Sequence, residues 1–209
     1  NRKENYIVIG PKNKDEGVGN EKKEIINQPT RRSVLHGKCM YYTQGKLTKS
    51  VHYKEGVIDG LLTEYYFQPT HVLRLKEEYK DGKRHGKYER YRSNGNLEQK
   101  GVFYQEIEVE GKTLRNVYDG EILYYNQNGF LERQENWKNF KKNGIYQRYN
   151  QQGVLSYQTH YQDDLKVGKE TYWDHDGNKT MEVNYKIIKK EEIPTEVRHG
   201  LQRTWKANQ

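Results

Sequence analysis

The sequence predicts an all-β protein, built as an elongated single-layer antiparallel sheet of stacked β-hairpins. Three observations predict this fold class. The chain contains one alanine among 209 residues, so the strongest helix former is nearly absent. It contains 19 tyrosines and 3 tryptophans, which suit strands. Glycine and aromatic residues also recur in step along the chain, which is typical of a repeat protein.

Seven glycines begin similar segments of the chain, and we call them the repeat glycines. They are Gly37, Gly60, Gly86, Gly120, Gly144, Gly168 and Gly200. The fifth residue after each repeat glycine is aromatic without exception. These fifth-position aromatics are Tyr42, Tyr65, Tyr91, Tyr125, Tyr149, Trp173 and Trp205. Such regularity indicates one structural unit copied along the chain.

Most units continue with a turn glycine and then a repeat leucine, and a second aromatic closes each of the first six units. The repeat leucines are Leu47, Leu73, Leu97, Leu131 and Leu155. The second aromatics are Tyr53, Tyr79, Phe103, Trp137, Tyr161 and Tyr185. A strand, a glycine turn and a second strand form a β-hairpin. One hairpin is marginal in water, so we expect neighbouring hairpins to stack with each aromatic packing on its equivalents.

The pattern G-x4-Y/W-x3-G-x-L, seen in YKDGKRHGKYERYRSNGNLEQKG, resembles the MORN repeat. The nearer resemblance is to the bacterial YwqK-type antitoxin family, and it extends from about Gly37 to Trp205. The resemblance implies an antitoxin or immunity protein that neutralises a toxin by binding it stoichiometrically. Because repeat arrays serve many partners, a second hypothesis is a structural accessory subunit of a larger bacterial assembly. An antitoxin would act in the cytoplasm, whereas an export signal before Asn1 would direct an accessory subunit to the periplasm or cell surface.

Residues 1–36 break the repeat and are expected to form an N-terminal cap or partly flexible segment. Strands in NYIVIG and RRSVLHG would cover the first sheet edge. Residues 37–209 would form the array of six hairpin units plus a terminal strand. Two insertions, QEIEVEGKTLRNVY and KIIKKEEIPTEVRH, follow second aromatics and are predicted to project from one edge. Pro194 is expected to limit pairing in the second insertion.

Catalytic and ligand-binding motifs are not found in the sequence. His36, His85 and His199 each precede a repeat glycine, so their periodicity indicates a structural role. Cys39 is the only cysteine, which excludes an internal disulfide and a cysteine-clustered zinc site. We therefore predict a protein that is not an enzyme, with no catalytic residue, no cofactor and no small-molecule substrate.

The segment YWDHDGNKTMEV places Asp174 and Asp176 at positions 3 and 5 of a calcium loop. Positions 1 and 12 of that loop require carboxylates but hold Tyr172 and Val183. The sequence therefore predicts an ordinary turn at Gly177 and no metal site.

The chain carries 37 basic and 29 acidic residues, a formal charge of +8. The excess is spread along the chain and does not concentrate in one segment, so no specific nucleic-acid partner is expected. Nucleic-acid or lipid binding remains a third hypothesis, and nucleic-acid binding would predict a steep loss of affinity with salt. The longest apolar run has four residues, Tyr6 to Ile9, whereas a transmembrane helix needs about 20, so no transmembrane segment is predicted.

The residue before each fifth-position aromatic is predicted to lie on the opposite face of the sheet, because strand side chains alternate. The residue two positions further back shares that face. Tyrosine and arginine are frequent at these positions, and both are typical of interface hot spots. We therefore predict a face that binds another protein, a toxin or an assembly subunit, through Tyr88, Arg90, Tyr124, Tyr146, Arg148 and Tyr172. The alternative is that these residues form only the solvated side of the sheet.

Overall fold

The computed structural model describes residues 7–9, 34–67, 71–104, 107–109, 112–114, 117–190 and 192–205. Within these ranges, sixteen strands form one open sheet, two strands form a separate hairpin, and no helix is present. The predicted all-β fold of stacked hairpins is therefore confirmed. No helix of the described residues is long and apolar enough to cross a membrane.

The strands follow one another along the chain at short intervals. They are β1 (Ile7–Ile9), β2 (Gly37–Thr43), β3 (Lys46–Lys54), β4 (Val57–Tyr65), β5 (Leu73–Lys80), β6 (Lys83–Tyr91), β7 (Leu97–Tyr104), β8 (Ile107–Val109), β9 (Lys112–Leu114), β10 (Val117–Tyr125), β11 (Leu131–Lys138), β12 (Lys141–Lys142), β13 (Gly144–Tyr149), β14 (Leu155–Gln162), β15 (Leu165–Trp173), β16 (Lys179–Lys190), β17 (Ile193–Arg198) and β18 (Arg203–Thr204).

Strand order in the large sheet is the order of the chain, with β8 and β9 left out as a separate hairpin. The short β12 pairs with β11, and β18 pairs with β16. β1 pairs with β2 in parallel, and every other pairing in the sheet is antiparallel. Because neighbouring strands lie about 4.8 Å apart, the fourteen strands side by side extend over about 60 Å.

Cross-strand register follows the sequence repeat. Each of the first six repeat glycines lies opposite the second aromatic of its own unit, as Gly37–Tyr53, Gly60–Tyr79, Gly86–Phe103, Gly120–Trp137, Gly144–Tyr161 and Gly168–Tyr185. The fifth-position aromatics lie opposite the repeat leucines, as in Tyr91–Leu97 and Tyr149–Leu155. All seven repeat glycines have positive φ, such as +86° at Gly86, a conformation that glycine adopts without a Cβ clash.

Two-residue turns join consecutive strands, and they lie at the same end of the strands. Asp81 and Gly82 have φ values of 49° and 79°, and Asp163 and Asp164 have 50° and 69°. Positive φ at both central residues indicates type I′ turns, whose twist matches that of the flanking strands. These turns therefore help to set the register of the hairpins that they close.

The two insertions project from the sheet at the same strand ends as these turns. The first is the β8–β9 hairpin, which follows β7 and precedes β10. The second extends β16 and returns as β17, which pairs through Pro194 opposite Lys189. The expectation that Pro194 limits pairing is wrong, because an outer strand tolerates a proline that donates no hydrogen bond.

The two faces of the sheet carry different side chains. Face 1 carries the second aromatics, and face 2 carries the fifth-position aromatics. Two hydrogen bonds show how face 2 is formed: the Tyr91 hydroxyl donates to Glu89 at 2.8 Å, and the Tyr149 hydroxyl donates to Gln147 at 2.8 Å. Each bond joins residues two positions apart, which share a face.

The core is a line of side chains that crosses the middle of face 1, and we call it the core row. Its buried members are Cys39, Val51, Leu62, Glu77, Tyr88, Ile122, Glu135, Thr159, Glu170 and Val183. No second layer covers this row in the described part of the chain, so its neighbours on the same face exclude water. Burial also raises the pKa of the Cys39 thiol, in keeping with a structural strand residue.

Aromatic contacts do not follow the expected pattern. Equivalent fifth-position aromatics lie two strands apart, about 9.6 Å, whereas ring contacts require centroids 4.5–7 Å apart. The described ring pairs join different repeat positions, such as Tyr88–Phe103 at 4.3 Å and Tyr157–Tyr172 at 4.9 Å. The expectation that each aromatic packs on its equivalents is therefore wrong.

We expect Gly101→Ala to destabilise the protein by about 1–3 kcal/mol, because an added Cβ would lie 2.8 Å from the Tyr88 ring. Urea unfolding of the wild type and the variant measures this loss. In a Tyr88→Ala background the same substitution should cost much less, since the ring is gone. Equal costs in the two backgrounds would show that the ring over Gly101 does not constrain the core row.

Candidate functional site

The register aligns seven side chains of face 1 in one unbroken line across neighbouring strands. We call this line the Tyr–Arg row. Its members, from β6 to β15, are Arg90, Gln99, Tyr124, Arg133, Arg148, Tyr157 and Tyr172. Each residue lies directly opposite the next across a strand pair. Six strand spacings give the row a length of about 29 Å.

Four of the six residues predicted from the sequence, Arg90, Tyr124, Arg148 and Tyr172, lie in the Tyr–Arg row. The other two, Tyr88 and Tyr146, lie two residues before Arg90 and Arg148 on the same strands, in line with the core row. Tyr88 is only 2% exposed and packs on Phe103, so it supports the sheet from within. Tyr146 is half-buried.

Sequence reasoning missed Gln99, Arg133 and Tyr157, because it considered only the first strand of each hairpin. These residues lie on the second strands. A signal for them was present, since each stands two residues after a repeat leucine. Pairing the two strands in register would have identified the complete row.

Two of the three arginines of the row, Arg90 and Arg148, are not neutralised within the described part of the chain, whereas Arg133 pairs with Glu135 at 3.3 Å. Arg90 and Arg148 are exposed, and neither forms an ion pair with a described residue. Arg133 lies directly opposite Arg148, and like charges at opposed positions destabilise a sheet. Arg133 also stacks over the Tyr124 ring, with its guanidinium carbon 4.0 Å from the centroid. The row therefore carries a concentrated positive charge on an aromatic surface.

Buried carboxylates lie beside the row, in the core row. The Glu77 carboxylate accepts hydrogen bonds from Tyr79 at 2.9 Å and Arg84 at 3.2 Å. Glu135 accepts one from the Trp137 indole at 3.0 Å. Each carboxylate has cationic partners, as charges removed from water require.

Glu135 has two cations within ion-pair distance, Arg133 at 3.3 Å and Lys142 at 4.0 Å. One carboxylate shared by two cations leaves a net positive charge at this point of face 1. Lys142 stands two residues before a repeat glycine, as do Arg84 and Lys166. This recurring basic position is a second sequence pattern from which the cations of face 1 could have been predicted.

Glu170 forms another buried ionic cluster, at 2% exposure. Its carboxylate pairs with the Lys166 ammonium and accepts a hydrogen bond from the Tyr157 hydroxyl. Burial alone would raise the pKa of this carboxyl, but the hydrogen bonds from Lys166 and Tyr157 outweigh it and hold the pKa below its ordinary value. Burial and the bond to Glu170 raise the pKa of Tyr157, so this phenol stays protonated.

Two shallow depressions flank the ends of the row on face 1. One, of about 430 Å³, lies at its β13–β15 end and is lined by Lys142, Tyr146, Arg148, Ser156, Tyr157, Tyr161 and Tyr172. The other, of about 500 Å³, lies beside Arg90 and includes Leu62, Leu75 and Tyr79. Both are open, so their aromatic and charged groups are accessible to a large partner.

No group of three or more histidine, cysteine or carboxylate side chains that could hold a metal ion occurs among the described residues. The segment YWDHDGNKTMEV, compared above with a calcium loop, contains an ordinary turn. The Asp174 carboxylate accepts backbone hydrogen bonds from Asp176 at 3.0 Å and Asn178 at 2.8 Å. The bond from the Asn178 backbone is the main reason that the pKa of Asp174 is lowered.

Comparison of the chain with models of known protein families gives no match, and comparison with curated protein sequences gives none.

We expect Glu170→Gln to lower the free energy of unfolding by about 2–4 kcal/mol at pH 7, because Lys166 would lose its buried counter-charge. Since the folded pKa of Glu170 lies below the ordinary 4.5, its ionised form stabilises the fold above pH 4.5. That stabilisation is lost as the pH falls through the folded value. Urea unfolding between pH 7 and pH 3 measures the difference between wild type and variant.

The exposed Glu132→Gln is the matched control and should change stability by less than about 0.5 kcal/mol. A wild-type advantage over Glu170→Gln that stays constant down to pH 3 would contradict the assigned ionic role.

Proposed function

We propose that the protein is a non-enzymatic binding protein that holds another protein against face 1 through the Tyr–Arg row. The observation that carries this proposal is the Tyr–Arg row itself, three arginines, three tyrosines and Gln99 in one line, in which Arg90 and Arg148 have no ion pair among the described residues. A like-charge pair such as Arg133–Arg148 costs stability unless an anionic group lies over it. A protein surface with carboxylates supplies such groups.

The dimensions of the row favour a macromolecular partner over a small ligand. Small-molecule sites are concave and enclose most of their ligand, whereas the row is about 29 Å long and open. A typical protein interface covers about 800 Å² on each partner, with tyrosine and arginine at its energetic centre. Face 1 offers such a surface on seven neighbouring strands.

The specific role that we propose is that of an antitoxin or immunity protein. The support is the resemblance of the repeat to MORN and YwqK-type sequences, together with an open face suited to covering a partner stoichiometrically. No catalytic group is required for this role, because a toxin is neutralised by blocking its surface.

A second candidate function is that of an accessory subunit in a larger bacterial assembly. The outer end of the sheet favours it. Ile193 is 65% exposed, Leu201 81% and Trp205 41%, all near the outermost strands β17 and β18. Exposed apolar side chains beside an unpaired sheet edge are typical of a surface that another subunit covers.

We expect combined replacement of Arg90, Tyr124 and Arg148 by alanine to weaken partner binding at least about 100-fold, since each is a potential hot spot. The immobilised wild type and variant would be exposed to lysate of the native host, and retained proteins identified by mass spectrometry. Affinity for the purified partner is then measured by calorimetry, which also gives the stoichiometry.

The matched control changes two cations and one tyrosine of face 2, Lys87, Tyr149 and Lys169, to alanine and should bind like the wild type. If the face 1 variant retains the partner and the face 2 variant loses it, the proposed surface is wrong. If only the outer end is needed, tested by changing Ile193 and Leu201 to serine, the accessory-subunit function is favoured.

A further inference from the structure

The spacing of the arginines in the Tyr–Arg row specifies a partner segment. From Arg90 to Arg133 there are three strand spacings, about 14 Å, and from Arg133 to Arg148 there is one, about 5 Å. Tyr124 lies between Arg90 and Arg133, and the Arg133 guanidinium stacks on its ring. Gln99 and Tyr124 separate Arg90 from the adjacent pair Arg133 and Arg148, and the three cations form a linear set of anion-binding points.

An extended peptide rises about 3.4 Å per residue, and alternate side chains share one side. Residues i and i+4 therefore lie about 14 Å apart on the same side, and residues i+4 and i+6 about 7 Å apart. These distances match the arginine spacings within the reach of a flexible side chain. An α-helix rises only 1.5 Å per residue, so it would need about nine residues to separate the first two contacts.

We propose that the row binds an extended acidic segment of a partner protein, lying across the strands with carboxylates at positions i, i+4 and i+6. Residue i contacts Arg90, residue i+4 contacts Arg133, and residue i+6 contacts Arg148. This inference rests on the proposed function and adds the chemistry of the partner.

Charge complementarity supports this occupant. The only carboxylate in ion-pair contact with an arginine of the row is Glu135, among the described residues, and it is shared with Lys142. An acidic segment would neutralise Arg148 and remove its repulsion with Arg133. Guanidinium groups bind carboxylates in a bidentate geometry, so position as well as charge is recognised.

Face 2 also carries cations, and some of them pair with carboxylates of that face. Lys76 pairs with Glu89 at 3.6 Å, and Lys169 pairs with Glu182 at 3.3 Å. Face 2 therefore serves as an internal reference: it has cations and aromatic rings, but not the three aligned arginines of the row.

The test uses synthetic nine-residue peptides of serine and glycine, with glutamate at positions 2, 6 and 8 or clustered at positions 4, 5 and 6. The two peptides have equal charge, and affinity for the full chain is measured by fluorescence anisotropy at 150 mM salt. We expect the spaced peptide to bind about tenfold more tightly. Arg90→Ala should weaken the spaced peptide about fivefold, the effect of one ion pair worth about 1 kcal/mol, and leave the clustered peptide unchanged.

A charge swap guards against indirect effects of a substitution on the fold. Arg148→Glu should weaken the spaced peptide, and a peptide with lysine at position 8 should recover binding to that variant. Lys87→Ala on face 2 is the control and should change neither affinity. Equal binding of the two peptides, or failure of the swap, would overturn the proposal.

A nine-nucleotide single-stranded DNA is measured in parallel. Tighter binding of the oligonucleotide than of the spaced peptide, with a steep salt dependence, would overturn the proposal in favour of nucleic acid. Failure of the peptide is distinguishable from failure of the proposed function. The triple alanine variant of Arg90, Tyr124 and Arg148 could lose the whole partner while the wild type fails to bind the spaced peptide. In that case face 1 binds a folded surface of the partner, and only the proposed acidic segment is wrong.

Discussion

Pairing of a repeat glycine with an aromatic ring on the adjacent strand is the constraint on which the rest of this structure depends. The glycine adopts positive φ, and six such pairs, from Gly37–Tyr53 to Gly168–Tyr185, recur in the same register. Since side chains alternate between faces, a shift of one residue would move every side chain of a strand to the opposite face. The Tyr–Arg row exists only because the same register is repeated across seven strands.

Within the ranges that the structure describes, no helix or second sheet covers the layer, so it must exclude water from its core by means of its own side chains. Aromatic rings do this on face 1, and their polar edges bond to the carboxylates beneath, as Trp137 does to Glu135. Charged groups in the core row are tolerated because cations and hydroxyls satisfy them. The core is therefore apolar at Val51 and Leu62 and ionic at Glu135 and Glu170, an uneven composition along one row.

The repeat in the sequence was enough to predict the fold class, the hairpin unit and the face that holds Arg90 and Arg148, because glycine spacing and strand alternation are local properties. It could not give the contacts between strands. Whether Tyr88 is exposed or buried depends on its ring lying over Gly101, which comes from another strand. The positive charge on face 1 could not be predicted either, since counting charge along the chain averages the two faces of every strand.

Disulfide trapping tests the register most directly, at the β11–β13 pair in the middle of the row. In a Cys39→Ser background, cysteines replacing Arg133 and Arg148 should form a disulfide readily under mild oxidation, because these residues lie directly opposite each other. Cysteines replacing Arg133 and Gln147 should not, since their side chains lie on opposite faces. Preferential cross-linking of the second pair, detected by mass spectrometry of proteolytic fragments, would contradict the aligned row and the function built on it.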